Sequence, residues 1–94
     1  MNNIIVPSRF KLGCVVITPR ALTTLSQDEV LNALMRHMSG DWGSLDEQDW
    51  TLNDEALKFG GRLLSQYRAK EDTRFWIITE QDRSATTVLL PDEY

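Results

Sequence analysis

The chain predicts an α+β two-layer sandwich in the order β-α-α-β-β-β, its helices packed on one face of a mainly antiparallel sheet. Three observations carry that expectation. Phe75 to Thr79 and Thr86 to Leu90 are β-branched, aromatic or leucine residues, which suit a pleated, half-buried surface. The short charged loop Glu80-Gln81-Asp82-Arg83-Ser84 joins them as a hairpin would. Further upstream, Ser26 to Glu29 and Ser44 to Glu47 both have capping-box spacing and both precede helix-type runs.

Taken in order, residues 1–9 are polar around Pro7 and are expected to form a flexible N-terminal arm, leaving 10–94 as one domain. Phe10 to Ile17 reads as the first strand. It is apolar on both faces, which predicts a central strand or one covered on both sides, with Cys14 a small core residue. Thr18-Pro19 signals a helix start, giving one short turn to Leu25. The helix capped by Ser26 runs to about Met38. Its apolar stripe is Val30, Leu31, Leu34, Met35 and Met38, about 140° wide, with His37 at the edge. Gly40 suits a left-handed C-terminal cap, and Gly43 a second bend.

The helix starting at Ser44 should reach Phe59 and carry two apolar edges. Trp50 and Leu57 form one edge, and Leu52, Ala56 and Phe59 the other. One edge should meet the sheet, while the other packs on the first helix or stays exposed for a partner. Gly60-Gly61 ends the helix. Arg62 to Arg68 then forms a strand with Leu63, Ser65 and Tyr67 on one face. A loop of hairpin length follows, then the last two strands as a meander, with the first strand at an edge or beside the last. Pro91 ends pairing before a short acidic tail.

The net charge is -4 and the pI near 4.8, which argue against direct nucleic-acid binding and for a basic partner. No apolar run is long enough to span a membrane. No basic region precedes the few apolar residues of the opening, so no signal peptide is expected and a cytoplasmic protein is the default. One histidine and one cysteine make a metal site a poor expectation, and no cofactor is implied.

Chemistry has three candidate places. The turn with Glu80, Asp82, Arg83, Ser84 and Thr86 could hold an acid/base or phosphate site. Ordinary turn chemistry also selects these types, with Asp82 and Ser84 capping and Arg83 pairing with an acid such as Asp41. The second place is the acidic run between His37 and Leu57. Its six carboxylates, Asp41, Asp46, Glu47, Asp49, Asp54 and Glu55, stand without a lysine or arginine. With Trp42 and Trp50 beside them they could anchor a partner or imitate phosphates, against the plainer reading of a solvated helix face. The third is a small metal-independent nuclease or toxin-like enzyme built from His37, Asp41, Arg83 and Glu80. The acidic surface counts against it.

The stretches His37 to Gly43 (H-x-S-G-D-W-G) and Ile78 to Tyr94 (I-T-E-x-D-R-S-x-T-T-x-L-L-P-x-E-Y) resemble a family of small bacterial proteins. These are carried on plasmids, integrative elements and prophages, and the resemblance covers about residues 10 to 94. It implies a mobile-element setting, in which small acidic proteins often counteract CRISPR or restriction effectors. The expectation is a non-enzymatic protein-binding module of that kind, its partner surface formed by Asp41, Trp42, Asp46, Glu47, Asp49, Trp50 and Asp54. The alternatives are the small enzyme above and a structural interaction protein of unknown target.

Overall fold

A computed structural model describes residues 8–94, so most of the arm expected over residues 1–9 lies outside the described residues. The elements are β1 (Cys14–Ile17), α1 (Pro19–Thr24), α2 (Gln27–Met38), α3 (Glu47–Phe59), β2 (Leu63–Arg68), β3 (Arg74–Thr79) and β4 (Ala85–Leu89). The strands form one sheet in the order β1-β4-β3-β2. β2, β3 and β4 pair antiparallel, and β1 joins β4 in parallel, Val15 facing Thr86 and Ile17 facing Val88. This is the α+β architecture the sequence predicts, and the first strand lies at an edge beside the last.

Strand alternation sets the core. Leu63, Ser65 and Tyr67 of β2, Phe75, Ile77 and Thr79 of β3, and Thr86 and Val88 of β4 point to one face, and all are buried. Ala21 and Leu25 at α1, with Val30, Ala33 and Leu34 of α2, cover that face. The core stripe of α2 is therefore Val30-Ala33-Leu34-His37, rotated from the expected one. Leu31 and Met35 are about half exposed, because the inward arc takes Ala33 and His37 instead.

Two expectations are corrected, one for a strand and one for a helix cap. β1 is neither central nor covered on both sides, and Cys14 is not a core residue: Cys14, Val15 and Val16 are exposed, since β1 is an edge strand and no strand among the described residues lies beyond it. The second capping box also shifts. Asp46, not Ser44, caps α3, its carboxylate accepting the Asp49 amide at 2.8 Å. Ser44 is drawn outward to β2, where its amide donates to the Gln66 carbonyl at 2.7 Å.

That departure belongs to the treatment of the β2 edge. Gln66 N–H donates to the Trp42 carbonyl at 3.2 Å, so Trp42 and Ser44 satisfy both outward groups of Gln66. One residue pair further, Asn53 of α3 does the same for Leu64. Its Nδ2 donates to the Leu64 carbonyl at 2.5 Å, and its Oδ1 accepts the Leu64 amide at 3.3 Å. Asn53 is the buried residue of α3, which lies along this edge rather than flat on a sheet face. Gly43 makes the approach possible. Its φ is +78°, and a Cβ there would stand 1.9 Å from the Gln66 carbonyl oxygen. On the face of the sheet opposite the core, Tyr94 packs edge-on to Trp76 at 5.5 Å and accepts a hydrogen bond from Arg62 at 2.5 Å.

Candidate functional site: the acidic face of α3

The enzyme alternative rests on four residues, His37, Asp41, Arg83 and Glu80, and the fold separates them. His37 sits on the inward stripe of α2 and is 0% exposed. Nδ1 lies 2.5 Å from Ser65 Oγ and Nε2 2.9 Å from Thr79 Oγ1. Thr79 Oγ1 is 2.7 Å from Thr86 Oγ1, which donates to the Leu12 carbonyl at 2.6 Å. With a neutral imidazole only one proton order satisfies this chain. Thr86 gives its proton to Leu12, so it must accept from Thr79. Thr79 must then accept from Nε2–H, and Ser65 donates to Nδ1. The imidazole is the neutral Nε2–H tautomer.

Phe10 and Trp42 close over the ring edge-on, with centroids at 5.2 and 5.6 Å. Burial holds the His37 pKa down at about 3, and the nearby Arg83 charge pushes the same way. A neutral, sealed imidazole whose two nitrogens are both engaged cannot take a proton from an outside substrate. It is a core hydrogen-bonding group.

Arg83 is equally committed. It has φ +63° in the β3–β4 turn. Its guanidinium donates to the carbonyls of Gly61 at 2.5 Å, Glu80 at 3.0 Å and Ala56 at 3.3 Å. It thereby ties the turn to the C-terminus of α3. Among the described residues no acid pairs with it: Asp41 pairs with Arg36, Nε to Oδ2 at 2.8 Å, and that guanidinium lowers the Asp41 pKa. Asp82 does cap the turn, accepting the Ser84 amide at 2.9 Å. The Glu80 carboxylate lies 3.8 Å from the Arg62 guanidinium. His37, Asp41, Arg83 and Glu80 do not converge on a common cleft. Among the described residues no three His, Cys, Asp or Glu are placed to hold a metal, and no helix is long and apolar enough to cross a membrane.

The candidate partner residues divide into buried and displayed. Trp42 is fully buried and donates from Nε1 to Asp54 Oδ1 at 2.9 Å, so it anchors α3 to the core rather than a partner. Trp50 is half-buried. Asp41 is tied to Arg36 and also accepts the Gly43 amide at 3.1 Å. Asp46, Glu47, Asp49, Asp54 and Glu55 are exposed, and among the described residues none of them forms an ion pair. Lys58, in the last turn of α3, is the helix's own base.

Asn53 and the hydroxyls that hold His37 escape a reading of the sequence based on apolar periodicity. The available signal was one of placement: Ser65, Thr79 and Thr86 are small polar residues at inward strand positions, and one histidine stands opposite them. Comparison of the chain with protein-family models, with curated proteins and with solved structures finds no match.

Proposed function

We propose that this protein is a non-catalytic binding module of a mobile genetic element, which inhibits or modulates a host CRISPR or restriction complex by docking α3 on a basic surface. The observation that carries the reading is the set of exposed carboxylates on and beside α3, Asp46, Glu47, Asp49, Asp54 and Glu55, outside any ion pair among the described residues. Carboxylates concentrated along one helix, whose single base is Lys58, steer a positively charged partner. The dispersal of His37, Asp41, Arg83 and Glu80 supports a binding role over the nuclease alternative. The mobile-element setting rests on the sequence resemblance alone.

The test is retention of a purified restriction or CRISPR effector by immobilised protein, followed by the effector's DNA-cleavage rate. Wild type should retain the effector and slow cleavage. A Glu47→Lys/Asp49→Lys/Glu55→Lys variant should do neither, and rising salt should weaken the wild-type complex. Asp46 is left intact because it caps the helix. Retention unchanged by charge reversal and salt would overturn the reading.

A further inference from the structure

Alongside its acids, α3 displays an apolar stripe that the fold leaves uncovered. Leu52 is 55% exposed and Phe59 77% exposed, on a helix whose buried contact is a polar side chain, Asn53. Leu52 and Phe59 are seven residues apart in α3, so they lie in one row, about 10 Å apart along the axis. Between the row and the sheet, Leu45, Asp49, Leu52, Asn53 and Leu64 line a groove of about 250 Å³. By helical angle Asp49 and Glu55 flank the row on opposite sides. Both are exposed.

Leu52 and Phe59, with Asp49 and Glu55 on either side and the Lys58 ammonium 5.4 Å from the Phe59 ring centroid, form a face for a helix laid in a groove, and the flanking acids favour a helix that carries positive charge. We infer that the partner element recognised by α3 is a cationic amphipathic helix. Its apolar residues at i and i+7 seat against Leu52 and Phe59, and its flanking lysines or arginines meet Asp49 and Glu55. This rests on the acidic-face reading above and adds to it the shape and the apolar half of the partner. An extended nucleic-acid mimic interaction needs charge alone. The stripe asks for shape as well.

The experiment uses two labelled helical peptides about 14 residues long, matching the roughly 20 Å length of α3. One carries leucines on one face and lysines elsewhere, and the other replaces each leucine with serine. Binding to the full chain is read by fluorescence anisotropy. Wild type should bind the Leu/Lys peptide at least about tenfold more tightly than the Ser/Lys peptide. The Leu52→Ser/Phe59→Ser variant, altered only at exposed positions, should lose that preference while keeping its circular dichroism spectrum. The Asp49→Asn/Glu55→Gln variant should weaken binding of both peptides and flatten the salt dependence.

Equal binding of the two peptides by wild type would overturn the inference while leaving the acidic-face reading in place. A preference retained by the Leu52→Ser/Phe59→Ser variant would also overturn it, since the apolar contact would lie elsewhere. Leu/Lys binding indifferent to salt and to the acid variant would overturn the acidic-face reading and, with it, this inference. Absence of binding by either peptide would overturn both.

Discussion

At the scale of single residues, His37 dominates. An imidazole is buried here at low cost only because Ser65, Thr79 and Thr86 fix one tautomer and leave no polar atom without a partner. Its pKa is about 3 in the fold and near 6.5 when the chain unfolds. The unfolded state therefore binds the extra proton first as acid is added. The stability contributed by the neutral ring is complete above about pH 6.5 and is lost as pH falls toward 3, at up to about 1.4 kcal/mol per unit. Chemical denaturation at pH 7 and pH 5 should show wild type losing about 2 kcal/mol, while His37→Gln stays nearly flat. The interval lies above the range where carboxylates such as Asp41 begin to protonate. Equal losses in the two proteins would refute the assignment. Ser65→Ala should cost about 1–3 kcal/mol at pH 7 by leaving Nδ1 unpaired in the core.

At the scale of elements, the instructive comparison is between the two capping boxes. Ser26 and Glu29 form theirs in full, each bond 3.1 Å, because the Lys70 amide is accepted at 2.8 Å by Glu29 Oε2 and leaves Oε1 to the Ser26 amide. Ser44 has the same spacing and loses the role, because the bare edge of β2 needs a donor more than α3 needs that serine. Asp46→Ala should thus cost about 1 kcal/mol of stability by thermal melting, with little effect expected from Glu47→Ala beyond its dipole contribution. If Asp46→Ala proves silent, the cap assignment is wrong. The same competition explains which parts of the fold could be read from sequence. Strand faces such as Leu63-Ser65-Tyr67 and the Gly40 bend follow from local pattern and hold in the structure. The α2 stripe was legible only as to its existence, since Ala33 and His37 do not announce themselves as core. The burial of Trp42 and exposure of Val15 depend on what stands opposite them, which no local pattern carries. For the candidate site, the acids were visible in sequence, but the stripe of Leu52 and Phe59 could be assigned to solvent only once α3 was placed.

At the scale of the whole molecule, the sheet has two edges treated in opposite ways, and the difference explains how α3 is held. Edge strands invite pairing with other chains unless they are covered. The β2 edge is closed by the Asn53 side chain on one residue and by the Trp42 and Ser44 backbone on another, and the Asn53 pair holds the acid-bearing helix to that edge alongside the Trp42–Asp54 and Arg83–Ala56 bonds. The β1 edge has no such cover among the described residues. Cys14 N–H bonds the Ser84 carbonyl and Thr18 N–H the Val88 carbonyl, so the intervening amides of Val15 and Ile17 point away from β4. Hydrogen exchange should report this asymmetry. The amides of Leu64 and Gln66 should be protected although they lie on an edge, and those of Val15 and Ile17 should exchange much faster. In Asn53→Ala the Leu64 amide should lose protection while Gln66 keeps it, because Trp42 still accepts from Gln66. The same variant should melt about 1–3 kcal/mol below wild type, the cost of orphaning the Leu64 backbone groups. It should also weaken any α3-mediated binding, since the helix would no longer be held in register with the sheet. Protection at Leu64 unaffected by Asn53→Ala would mean that α3 is held by something other than this pair of bonds, and the placement of the acidic face would have to be reconsidered.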